Sequence, residues 1–139
     1  METTVTIKFD EVEIKDDMKP VDRYLYDVSP YARWFDETCM AWTNDQESNL
    51  YFLEMQQNYA NELLKARKHI FLNEIYDMLG IPRTRAGQVV GWVYDEKNPI
   101  GDNFINFGLY DEHNVKFING YEKSVLLDFN VDGDILDRI

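Results

Sequence analysis

One stretch, from Asp45 to Pro82, constrains the fold more than any other, because it is the only long run with sustained helical periodicity. Asp45 or Asn44 can cap its start, since a short side-chain oxygen accepts an otherwise orphaned N–H of the first turn. Apolar residues then recur at helical spacing: Leu53, Ala60, Leu63, Leu64, Ile70, Phe71, Ile75, Met78 and Leu79. Gln56, Gln57, Asn61, Glu62, Lys65, Lys68 and Asn73 fall mostly on the opposite face. Gly80 offers a left-handed C-cap, and Pro82, which lacks an N–H, cannot extend the ladder. The pattern predicts one long amphipathic helix over about 45–79.

Such a helix meets a geometric limit. About 34 residues rising ~1.5 Å each make a rod of roughly 50 Å. A compact domain of this chain length is only roughly 37 Å across. Either the rod breaks, with Asn58 to Asn61 the softest place, or its overhang packs on a second copy or another partner. A homodimer is therefore left open.

The remaining segments are shorter. Thr3 to Ile14 alternates in the manner of a half-buried strand, within an acidic N-terminal segment over 1–27. Ser29-Pro30 has the form of an N-cap followed by proline at the first helical position, predicting a short helix near 30–37. Thr84 to Val93 reads as a short helix or turn running into a strand at Gly91–Tyr94, and Asp95 to Asp102 reads as a loop. Phe104 to Tyr110 alternates like a strand, and a helical turn is expected near Val115 to Asn119. Ser124 to Val131 carries the clearest strand signal and ends in a turn at Asp132-Gly133. These elements predict a single α+β domain over 1–139, its helix packed against a small antiparallel sheet.

Charge narrows the function. The 139 residues hold 14 Lys and Arg against 26 Asp and Glu, a formal net charge of −12. Residues 1–49 carry twelve acids and five bases, and residues 95–139 ten acids and four bases, whereas the central stretch is nearly neutral. Such a field repels nucleic acid and anionic membrane and attracts basic protein surfaces. The single cysteine, Cys39, excludes an internal disulfide, no hydrophobic segment follows Met1, and no apolar run is long enough to span a membrane. The expected setting is a reducing, intracellular one.

No motif carries a chemistry. Asp128, Asn130 and Asp132, alternating before Gly133, match the first half of a calcium-binding loop. The position that should supply a bidentate glutamate is Ile139, however, so a strand ending in an acidic turn is the better reading. Gly80, Gly87 and Gly91 lack the Gly-Lys-Ser/Thr of a phosphate loop. Cys39, His69 and His113 have no companions in sequence, and a small enzyme would need them to converge with carboxylates. No catalytic residue, metal or cofactor is expected. The candidate partner-binding residues are Trp34 and Trp42, as aromatic anchors, and Arg83 and Arg85, as the main local positive charge.

The segments QQNYANELLKARKHIFLNEIYDMLGIPRTRAGQVVGWVYDEKNPIGDN, FINFGLYD and FINGYEKSVLLDFNVDG, with SPYARWFDE upstream, resemble an uncharacterised protein family of bacteriophages and prophages in gut-dwelling Gram-positive bacteria. The resemblance spans roughly residues 28–135. Some longer relatives carry hydrophobic N-terminal segments, where this chain has an acidic start. The resemblance implies an accessory protein that binds another protein, and the charge implies a partner with a basic surface. Inhibition of a host defence such as a CRISPR effector, by mimicking nucleic acid, is the first expectation. A structural or assembly component of the phage particle is the second, and a small enzyme the third.

Overall fold

Asp45 starts the dominant helix, as its short carboxylate allows. In the computed structural model, which describes residues 27–139, its side chain accepts hydrogen bonds from Ser48 N (3.0 Å) and Ser48 Oγ (2.6 Å). Helix α1 (Gln46–Arg67) follows. Its 22 residues make a rod of roughly 33 Å, which fits within the width of a domain of this size. The expected N-terminal strand and nearly all of the connector after it lie outside the described residues.

The helix does break, but at Lys68 and not at Asn58 to Asn61. Lys68 N still donates to Leu64 O (2.7 Å), yet its own φ is +73°, the left-handed conformation. Its carbonyl turns away to accept from Tyr94 N (2.9 Å). The chain then leaves the helical course: His69–Phe71 is extended before α2 (Leu72–Leu79) resumes it and ends on Gly80, also left-handed. Arg67 spans the break by gripping Glu74 with two nitrogens, at 2.7 and 3.0 Å. Burial alone would raise the Glu74 carboxyl, but Arg67 and the Phe71 N–H hold it below the usual glutamate range.

The segment expected to be a short helix near 30–37 is a strand. β1 (Arg33–Phe35) pairs antiparallel with β4 (Val125–Leu127), setting Trp34 opposite Leu126. Ala32 and Leu126 are both fully buried in that pairing, and this long-range burial overrides the local capping signal. The second sheet has three strands in the order β2 (His69–Phe71), β3 (Val90–Val93), β5 (Gly133–Asp134), all antiparallel. A Cβ on Gly91 would lie 2.1 Å from Ile70 O, so only glycine permits this approach of β2 and β3. Two further short elements appear where helical turns are expected: a 3₁₀ turn over Ala86–Gln88 and α3 (Val115–Ile118). The class is α+β.

The alternating segment 104–110 is not a regular strand, because α1 supplies its partners. Asn61 exchanges both hydrogen bonds with Ile105, accepting from its N (2.7 Å) and donating to its O (2.9 Å). Gln57 Oε1 accepts from Phe107 N (2.8 Å), and Tyr110 Oη donates to Glu54. Positions 54, 57 and 61 lie on one helix flank, so the segment runs antiparallel to α1 along that flank. Ile105 and Phe107 thereby enter the core beside Leu53, Ala60, Leu64, Tyr76, Trp92 and Phe129, all buried. The Phe129 ring meets Tyr76 and Phe107 edge to face, with centroids 5.7 and 5.5 Å away.

The break gives an inverted glycine effect. Inside a helix, glycine is less stable than alanine by about 0.5–1 kcal/mol, whereas a left-handed residue carrying a Cβ costs about 1–2 kcal/mol. Lys68→Gly is therefore expected to be more stable than Lys68→Ala by about 1 kcal/mol in urea unfolding. A helix continuous through Lys68 would give the opposite order.

Candidate functional site

A cleft of about 390 Å³ opens where the approach to β1, the turn after segment 104–107 and the strand exit at 128–131 meet, with Ser29, Tyr31, Gly108, Asp111, Asp128 and Phe129 among its walls. Three local features build it. Ser29 N donates to Asp128 Oδ1 (3.2 Å), and Tyr31 N donates to Ser29 Oγ (3.2 Å), which seats the entering chain. Asn106 Oδ1 accepts from Gly108 N (2.8 Å), tightening the turn. Gly108 has φ +74°, and a Cβ there would lie 2.7 Å from Asp111 Oδ2 and 2.9 Å from Asp128 O. The missing side chain lets the Asp111 carboxylate and the Asp128 backbone close on the same point.

The electrostatics are one-sided. Burial pushes the Asp111 carboxyl above the usual aspartate range; the charge of His113 draws it back, and the charge of Asp128 pushes it up again. Asp132, beyond the cleft wall, is also raised, by burial first and by Asp102 last, against the Val93 N–H that bonds it (2.9 Å). Asp111 and Asp128, brought together and partly desolvated, favour an incoming positive group beyond the partial compensation that His113 gives Asp111. A second cleft, of about 430 Å³ at the end of α1, mixes Lys68, His69 and Arg138 with Asp95 and Glu96. Its charges oppose one another, so it lacks that single sign.

The residues singled out from sequence take different places. Asp128, Asn130 and Asp132 aim their oxygens at protein N–H groups. Asp128 accepts from Ser29 N and Asp132 from Val93 N, while Asn130 Oδ1 accepts from Trp92 Nε1 (2.9 Å) and Asn106 N (2.7 Å). Asn130 Nδ2 donates to Asp102 (2.9 Å). Among the described residues no group of three His, Cys, Asp or Glu side chains is arranged to hold a metal. Trp34 is half-buried on β1 against Ala32 and Leu126. Trp42 is half-buried, with Nε1 donating to Lys123 O (3.0 Å). Arg83 is exposed and forks onto the Asp77 carboxylate, its Nη2 at 2.7 Å. Arg85 is exposed on the following turn. The four thus occupy separate neighbourhoods. Cys39 is buried with its thiol 3.7 Å from Trp34 O, and burial raises it above the usual thiol range.

Asp111 was not legible as a site residue in the sequence. The available signal was Gly108, a glycine directly before the alternation ends, which brings Asp111 back toward Asp128.

A model of a family of unknown function, DUF6353, matches residues 2–139. The chain belongs to this family. No curated protein and no solved structure matches it. The family's description assigns no chemistry, so the cleft stands on its own geometry. Among the described residues no helix is long and apolar enough to cross a membrane.

The strain at Asp111 has a testable sign. A raised aspartate binds its proton more readily in the folded chain, so the stability gained by protonation is complete below the ordinary value of about 3.9 and is lost as pH rises through the folded value. Asp111→Asn, which mimics the neutral carboxyl, is expected to raise the melting temperature at neutral pH. Its advantage over the native chain should shrink as pH approaches about 4. A melting temperature at neutral pH below that of the native chain would contradict the assignment of strain.

Proposed function

We propose that this chain is a protein-interaction module that takes a basic side chain of a partner protein into the cleft beside Asp111 and Asp128. The observation that carries the reading is the meeting of these two carboxylates in one cleft, where burial and the charge of Asp128 both raise the Asp111 carboxyl. An arginine or lysine entering the cleft relieves that repulsion and exchanges hydration for charge-assisted hydrogen bonds, at lower desolvation cost for the guanidinium. The net charge of −12 acts at longer range by steering a basic surface toward the molecule.

The proposed setting follows from the resemblance to phage and prophage proteins: the cytoplasm of an infected bacterium, with a basic, nucleic-acid-binding host protein as target. Inhibition of a host defence system such as a CRISPR effector is the form of action proposed, the acidic surface standing in for nucleic acid. A second reading, a component of the phage particle, is favoured by the exposed rings on α1, Tyr51 at 65% and Tyr59 at 54% exposure. Mass spectrometry of purified virions separates the two.

The direct test uses a labelled oligoarginine peptide and fluorescence anisotropy, with oligoglutamine as the control. Binding is expected to weaken steadily with added salt, and the Asp111→Asn, Asp128→Asn double variant to bind about tenfold more weakly. Asparagine at 128 keeps the acceptor for Ser29 N, so the fold is retained. A double variant in Asp134 and Asp137, acids outside the cleft, should bind like the native chain. Equal binding by the native chain and the cleft variant, or indifference to salt, would sink the reading.

A further inference from the structure

Helix α1 is apolar on two faces. Leu53, Ala60 and Leu64 point into the core, fully buried. On the opposite side, Ser48, Tyr51, Met55, Tyr59, Glu62 and Ala66 lie within about 40° of one line along the helix at ~100° per residue, and all six are exposed. Tyr51, Met55 and Tyr59 keep 65, 46 and 54% of their surface open to solvent. Tyr110, exposed, bonds Glu54 on the helix flank about 100° from Met55. A row of large apolar groups at i, i+4 and i+8 on an outer helix face is the geometry of a helix seam.

The charges beside that row select the occupant. Glu47, Asn58 and Lys65 share one flank of the stripe, about 60–80° from Met55, and all are exposed. Glu47 and Lys65 are each nine residues from position 56, next to the midpoint of the helix. A second copy of α1 laid antiparallel about that midpoint therefore brings Glu47 of each chain to Lys65 of the other. A parallel twofold copy would put the two flanks on opposite sides of the seam, with Glu47 level with Glu47, so no Glu47–Lys65 contact would form. The same antiparallel alignment opposes the acidic first turn of one helix to the basic last turn of its mate, where Arg67 joins Lys65.

We propose that the chain forms a twofold symmetric homodimer through the outer face of α1, with Tyr51, Met55 and Tyr59 at its centre and reciprocal Glu47–Lys65 pairs at its ends. The contact is self-complementary, as a closed twofold interface requires. It is distinct from the acidic cleft, which stands or falls separately.

Sedimentation equilibrium of the full chain tests the proposal, with circular dichroism reporting that each variant is folded. The native chain is expected to be dimeric at micromolar to hundred-micromolar concentration. Met55→Glu with Tyr59→Glu should be monomeric throughout. Glu47→Lys alone and Lys65→Glu alone should each weaken association by about tenfold through two new like-charge contacts, and the double exchange should restore it. A native chain that stays monomeric overturns the proposal and leaves the face to a different protein. A dimer that survives the Met55 and Tyr59 substitutions overturns it too, as does a dimer indifferent to the single charge reversals.

Discussion

The left-handed turn at Lys68 is the constraint on which the rest of this structure depends. It ends α1 within the width of the domain and converts the next three residues into the strand that seats β3. The Lys68 carbonyl, freed from the helix, bonds Tyr94 N and fixes the register of that pair. Its ammonium lies 5.0 Å from the centre of the Tyr94 ring, which keeps the side chain at the joint. Arg67 and Glu74 tie the two helices across the turn. Trp92, buried on β3, then reaches Asn130, and through it the segment that walls the acidic cleft.

Among the described residues little forms regular sheet, yet much irregular backbone is buried. Side-chain amides replace the missing strands. Asn61 brackets Ile105, Asn73 brackets Thr84, and Asn114 both donates to Leu126 O and accepts from Leu126 N. Asn130 does the same across two segments, accepting from Asn106 N and donating to Phe104 O. Each amide offers one acceptor and two donors, the pattern a neighbouring strand would present. A buried peptide group left without such a partner costs about 1–3 kcal/mol, so these few residues hold together segments that propensity would leave loose.

The parts of the fold legible in the sequence are those set by local chemistry. The Asp45 cap, the Gly80 terminus, the loop after Tyr94 and the helical turn near Val115 follow from residues within a few positions of one another. The strand at Arg33–Phe35 does not. Ser29-Pro30 has the form of a helix start, and only pairing with Val125–Leu127, some ninety residues away, decides otherwise. The break at Lys68 is hidden for a different reason, because lysine is a good helix former and seldom left-handed. Asn58 to Asn61 reads as the softest part of the helix, yet the helix continues through it while the Asn61 amide bonds both Ile105 and Gln57 O. In the cleft, Asp128 stood out for its spacing with Asn130 and Asp132. Asp111 joins it only through the Gly108 turn, which no periodicity reveals.

Two separate surfaces follow from this architecture: a cleft with carboxylates in excess, and a helix face with apolar groups in excess. Both depend on α1 ending where it does, because segment 104–110 is clamped along its flank and turns back toward Asp128 at its end. Backbone chemical shifts of residues 64–79, measured by NMR in solution, test that ending most directly. A helix that ends at Lys68 gives helical shifts through Arg67, a left-handed signature at Lys68, extended values at His69–Phe71 and helical values again from Leu72. Unbroken helical shifts from Leu64 to Leu79 would contradict it.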